Sequence, residues 1–198
     1  MNDEAWRCFV GVPMNDPLRG QLHGALGELQ ATVSAGADHL RWIDPGAWHL
    51  TLAFLGPTPR REVPRLIDAI GQVASDHAPF AVPTGGLGAF PSRREVRILW
   101  FGLADRSRRL AELAVAVRTA VGCETASPFR AHLTLARSQG DRGLPVPDAT
   151  WRVPMPAGQM AIEELVLYRS HTALGPASYE ILASVPLGIT LAGSRAAS

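Results

Sequence analysis

The chain has 198 residues, 46% of them apolar, and its 19 basic and 18 acidic side chains leave a formal charge of +1. That is enough for one sizeable domain or two small lobes. The near-neutral balance excludes a global field that would gather nucleic acid, so an acidic ligand has to be caught by a local cluster. All the basic residues are arginine, and the absence of lysine excludes Schiff-base chemistry, a P-loop lysine and a lysyl-nucleotide intermediate together.

The opening Met1-Asn2-Asp3-Glu4 is acidic and carries no signal-peptide pattern. Residues 6–12 read as a first strand stopped by Pro13, with Cys8 as a small buried hydrophobe. The other cysteine, Cys123, is not in metal or redox spacing with it. Asp16 and Pro17 suit the cap and first position of a helix whose apolar residues run Leu18, Leu22, Ala25, Leu26 and Leu29. Asp44-Pro45-Gly46 is a turn into a strand, Trp48-His49-Leu50-Thr51-Leu52-Ala53-Phe54-Leu55, which Gly56-Pro57 is expected to end. A second helix is predicted over about 61–74, with Leu66, Ile67 and Ile70 inward. Residues 80–87 form a strand broken by Pro83 and glycines, and 96–103 a clearer one. Asp105 is expected to begin a helix through Leu110, Leu113, Val117 and Val121, closed by Gly122. A strand over 129–136 follows, then a long loop over 138–159, two last strands at 162–168 and 178–185, and a frayed Ala-Gly-Ser tail. No apolar run approaches the roughly 20 residues that span a membrane, which predicts a soluble cytoplasmic protein.

One sequence, His-Leu-Thr-Leu, occurs twice, at His49 and at His132, each time in a strand. Side chains alternate along a strand, so His49 and Thr51 share one face while Leu50 and Leu52 point into a core, and His132 and Thr134 share a face against Leu133 and Leu135. Each copy offers an imidazole that moves protons near neutral pH and a hydroxyl that binds an oxyanion. Strand, helix, histidine strand is itself repeated, at 6–12, 18–29, His49 and at 96–103, 110–121, His132. A pseudo-twofold pair of α+β lobes would bring both histidines to opposite walls of one cleft.

Competing readings are weaker. Zinc wants three or four His, Cys, Asp or Glu ligands, and neither motif supplies a second at short spacing, so no metal is expected. A Gly-x-Ser-x-Gly elbow is absent. His23, His39, His77 and His171 have no matching context and read as surface or structural residues. Arg130 lies two residues before His132, and strand parity puts its guanidinium on the histidine's face, where it could hold a phosphate. Arg137 has the opposite parity and stays off that face unless the strand bends. Gly85-Gly86-Leu87-Gly88 is better read as a strand bend than as a phosphate loop. Trp42, Trp48, Phe129, Trp151 and Tyr168 are candidates to stack on a nucleobase, with only Trp42 and Trp151 in loop-like settings.

These motifs resemble those of the 2H phosphoesterase superfamily, in particular the LigT-like RNA 2′,3′-cyclic phosphodiesterases of bacteria and archaea, once called 2′-5′ RNA ligases. The resemblance rests on the two histidine strands, on 7–13, on 98–103 and on 165–170, and it extends to about residue 188. One departure is Ala131, where the family often has proline before the second histidine. The resemblance implies an α+β fold of two pseudo-twofold-related lobes, mainly antiparallel with helices outside. It implies a single domain over 1–188 and a flexible tail over 189–198. It implies hydrolysis of RNA 2′,3′-cyclic phosphate ends to 2′-phosphates, with His49 as proton donor, His132 as acceptor and Thr51, Thr134 and Arg130 on the phosphate. No metal or other cofactor is expected. The expected partner is an RNA end or a small cyclic nucleotide, and the expected state a monomer away from membranes. The alternatives are a non-catalytic RNA-end binding module and a nucleotide-independent, reversible 2′-5′ RNA ligase.

Overall fold

Apolar alternation dominates the chain, and nine stretches of it pair into one sheet. The computed structural model describes residues 4–34, 40–123, 128–140, 142–171 and 178–188; His39 and the tail over 189–198 lie outside them. The elements in chain order are β1 (Ala5–Pro13), α1 (Asp16–Ser34), β2 (Leu40–Trp42), β3 (His49–Pro59), α2 (Val63–Ser75), β4 (Phe80–Ser92), β5 (Glu95–Leu103), α3 (Arg109–Val121), β6 (His132–Ser138), β7 (Gln159–Ile162), β8 (Glu164–His171) and β9 (Ser178–Pro186). Strand order is β7-β4-β5-β6-β3-β1-β8-β9, with β2 also on β6, and every pairing is antiparallel. The fold class is therefore α+β with a mainly antiparallel sheet, as expected. Reading outward from the centre, β6-β5-β4-β7 mirrors β3-β1-β8-β9. The repeated strand, helix, histidine strand is β1-α1-β3 in one half and β5-α3-β6 in the other.

The halves meet at a narrow seam, where β3 and β6 pair through Leu50 and Leu133 alone. Both leucines are fully buried, with Leu52 and Leu135, in the main core. The helices contribute their apolar stripes to it: Leu18, Leu22, Leu26 and Leu29 from α1, Leu66 and Ile70 from α2, Leu110, Leu113 and Val117 from α3. Burying each such side chain stabilises the fold by roughly 1.5–3 kcal/mol. Phe9, Val166 and Tyr168 form a second, smaller cluster with Tyr179 against it.

Both histidine strands carry the same irregularity. In β3, Val10 opposes Ala53 and Gly11 opposes Thr51, so Leu52 has no partner. In β6, Leu99 opposes Ala136 and Trp100 opposes Thr134, so Leu135 has none. Each is a β-bulge, and the extra residue flips the parity of everything after it. Burial records the flip: Leu52-Ala53 and Leu135-Ala136 are consecutive buried pairs, followed by exposed Phe54 and Arg137.

Several boundaries differ from the sequence reading. Gly56 does not end β3. It sits at φ 67° and the pairing slips there, yet the strand runs on to Pro59 opposite Ala5. Asp105 does not begin α3 either: the helix starts at Arg109, and Asp105 caps it from upstream by accepting from the amides of Leu110 and Ala111 at 3.3 and 2.9 Å. Finally, β4 is continuous through Pro83, because Gly85 and Gly86 together oppose Gly102 in a bulge between the pairs Thr84–Leu103 and Leu87–Phe101.

Candidate active site

The seam sets the site. Extending the Leu50–Leu133 register by one residue on each side puts His49 across from Thr134 and Thr51 across from His132. Four polar side chains thus occupy the face opposite the leucines, related by the pseudo-twofold. Neither threonine hydroxyl has a hydrogen-bond partner among the described residues, so both are free for a ligand.

The two imidazoles are held the same way. His49 Nδ1 lies 2.8 Å from the carbonyl of Ala47, and His132 Nδ1 lies 2.6 Å from the carbonyl of Arg130. A carbonyl only accepts, so Nδ1 carries the hydrogen in each ring and Nε2 is left for chemistry. In both cases the carbonyl belongs to the residue two before the histidine, where the strand begins.

Aromatic rings wall both histidines. His49 packs against Phe9 (centroids 4.7 Å apart), edge-on to Tyr179 (4.8 Å) and near Tyr168 (5.6 Å). His132 is edge-on to Phe90 (5.1 Å) and beside Trp100 (6.0 Å). This desolvation is the main reason that both rings resist protonation. His49 is lowered to about 4, mostly by burial, against the raising effect of the Ala47 carbonyl, with Arg137 and His132 lowering it further. His132 is also lowered, chiefly by burial, offset by the Arg130 carbonyl and reinforced by Arg137. The charges of Arg137 and His132 both reach His49.

Arg137 is a candidate site residue that strand parity kept off this face. The bulge at Leu135 turns it onto the face of His132 and Thr134, and its side chain lines one cavity of about 350 Å³ with His49, Phe9, Phe54 and Tyr179. It makes no hydrogen bond or ion pair among the described residues, so its guanidinium is uncommitted. Phe54 occupies the equivalent position in the other half, five residues after His49, and is 64% exposed. A pair of adjacent buried apolar residues in an otherwise alternating strand was the signal available for both.

Arg130 sits differently. β6 begins at His132, so Arg130 precedes the ladder and strand parity does not orient it. Its carbonyl clasps His132, while its side chain lines a separate cavity with Arg93 and Trp100. Of the aromatic candidates, Trp48 is buried in the core, Tyr168 lies beneath the His49 ring, Phe129 lies under Arg118 and Trp151 under Arg93. His77 and His171 are tied to the Val73 carbonyl and Glu180, away from the face. No group of three or more His, Cys, Asp or Glu among the described residues is arranged to hold a metal ion.

Comparison with known proteins meets this geometry from outside. A family model described as LigT like Phosphoesterase matches residues 17–100. An RNA 2′,3′-cyclic phosphodiesterase of Geobacillus stearothermophilus is 31% identical over 90% of this chain, which spans 56% of that relative's length. One of Bacillus subtilis is 27% identical over 87% of this chain and 92% of its own. The solved structure of Escherichia coli LigT complexed with 3′-AMP superposes with a TM-score of 0.70 at 26% identity, covering 93% of this chain and 99% of that one. A shared fold over nearly the whole length and a family model matching residues 17–100 agree with the paired histidine strands, and in both respects the chain is similar to the LigT-like phosphoesterases.

Proposed function

We propose that this protein hydrolyses 2′,3′-cyclic phosphate ends of RNA to 2′-phosphates, by general acid and base catalysis between His49 and His132. The observation that carries the reading is the pair of imidazoles, each fixed through Nδ1 by the carbonyl two residues back and so each presenting Nε2 to one face. Relatives bearing the name RNA 2′,3′-cyclic phosphodiesterase support the substrate class. The LigT structure complexed with 3′-AMP supports a nucleotide ligand.

Displacement at phosphorus is in line, so the attacking water and the departing oxygen sit on opposite sides of it. One imidazole has to take a proton while the other gives one. Here His132 Nε2 takes a proton from water as its oxygen bonds to phosphorus, and His49 Nε2 gives one to O3′ as the P–O3′ bond breaks. The roles follow the family resemblance, since the two rings are clasped alike. Thr51 and Thr134 donate to the non-bridging oxygens, and Arg137 offers a planar fork to their charge. In the empty site both rings favour the neutral state. The arriving phosphate anion raises them, so substrate itself helps to charge the acid. Phe54 supplies an exposed ring on which the terminal base stacks. The protein acts alone, as a monomer in the cytoplasm, where its unpaired Cys8 and Cys123 stay reduced.

The test is single-turnover hydrolysis of an RNA ending in a cyclic phosphate. His49→Ala and His132→Ala should each lose on the order of a hundredfold or more, and the double variant far less than the product of those losses. A substrate with a much more acidic 3′ leaving group should rescue His49→Ala and not His132→Ala; the reverse pattern exchanges the two roles. Binding of the RNA end with no turnover by the intact protein would instead leave a binding module.

A further inference from the structure

Beside the His132 half of the face lies a cavity of about 390 Å³ that the hydrolysis does not use, lined by Gly85, Gly86, Trp100, Gly102, Arg93 and Arg130. Resting on the phosphodiesterase reading, we infer that it holds the nucleotide next to the cyclic phosphate end, with that nucleotide's phosphate on the two arginines and its base against Trp100.

The cavity exists because three glycines meet where side chains would otherwise fill it. Gly85 and Gly86 bulge opposite Gly102, and a Cβ on Gly85 would sit 3.3 Å from the Gly102 main chain. Trp100 is the wall shared with the active site. Its ring lies 6.0 Å from His132, and it packs flat on Gly88 and against Gly102, where a Cβ would sit 3.0 Å away. Arg130 has no hydrogen bond or ion pair from its guanidinium among the described residues. Arg93 is held on the rim by the Leu87 carbonyl at 3.1 Å and by the ring of Trp151 at 4.9 Å, which leaves donors over. Among the described residues, no acidic side chain lines the cavity. An aromatic wall with arginines around it, and nothing anionic, is the chemistry that holds single-stranded nucleic acid.

The cavity on the His49 side differs. It is larger, about 640 Å³, but the one arginine among its described lining residues, Arg19, is already bound to Asp16 at 2.5 Å and to the Met14 carbonyl, and Asp44 faces the same space. A second phosphate finds no free cation there among the described residues.

The test compares adenosine 2′,3′-cyclic phosphate with the dinucleotide ApA ending in the same group. The intact protein should prefer the dinucleotide in kcat/KM by about tenfold or more, and the preference should fade as salt rises. Arg93→Ala should keep mononucleotide activity and lose most of that preference. Arg130→Ala should lose it too, and lysine at either position should restore part. A preference near one in the intact protein, or one that survives both alanine variants, overturns the inference. So does a preference abolished by Tyr179→Ala and left intact by Arg93→Ala, which would move the neighbour to the His49 side. Failure to hydrolyse either compound would strike the phosphodiesterase reading itself, so the two failures are distinct.

Discussion

Replacing Arg137 with alanine separates two roles that the proposed hydrolysis gives to one guanidinium at the seam. The first is transition-state charge. Arg137 has no hydrogen bond or ion pair among the described residues and lines the cavity with His49, so its donors are available to a phosphate bound there. A charge-assisted hydrogen bond contributes about 1.5–3 kcal/mol. Its loss should lower kcat/KM by roughly 10- to 150-fold. The second role is electrostatic and opposite in sign. After burial, Arg137 is among the causes that hold both histidines below the usual imidazole range. Without it both apparent pKa values rise, and the kcat/KM profile of the variant should move to higher pH while its height falls. Lysine keeps the charge and loses the fork, so Arg137→Lys should restore the position of the profile and only part of the rate. Full pH profiles of kcat/KM for the three proteins decide the matter. A drop in rate with no movement of the profile, or equal activity in Arg137→Ala, would show that the guanidinium does not reach the site.

Four further outcomes follow from the geometry. In the proposed reaction the productive state carries one proton on the histidine pair, lost above the upper apparent pKa and doubled below the lower. With burial lowering His49 to about 4 and His132 from its ordinary value, the kcat/KM optimum should lie below pH 6.5, and an optimum above pH 7 would contradict it. Phe54→Ala should leave the melting temperature nearly unchanged, because the ring is 64% exposed, yet lower kcat/KM on RNA ends by about 5- to 100-fold. Gly11→Ala should destabilise the fold by about 1–3 kcal/mol, since the new Cβ would sit 2.7 Å from the Leu50 carbonyl, with denaturant midpoints as the readout. Activity should survive EDTA and dialysis, given the lack of a metal-ligand cluster among the described residues; restoration only by an added divalent ion would reverse this.

Strand alternation made the two histidine–threonine pairs readable, because within three residues nothing disturbs a period of two. It failed for Arg137 because a bulge is a property of two strands. Leu135 is left over only when β6 is laid beside β5, and no rule internal to β6 demands it. The adjacent apolar pairs Leu52-Ala53 and Leu135-Ala136 stand in the sequence, but that both members of each are buried shows only in the paired strands. Arg130 is the converse case, where parity was carried past the end of the strand. Gly56 reads locally as a stop, yet β1 pairs across it and carries β3 on to Pro59. The mirrored sheet order followed from the repeated strand, helix, histidine strand, whereas the short β7 had too few residues to show a period.

The carbonyl clasp on each imidazole has a genetic consequence. Because the acceptor is main chain, no change of side chain at position 47 or 130 deletes it, and the residues found there, alanine and arginine, share no chemistry. Ring orientation is thus insulated from drift at the very positions that enforce it. Those positions are free to diverge in side chain, as the small Ala47 and the long, cationic Arg130 show.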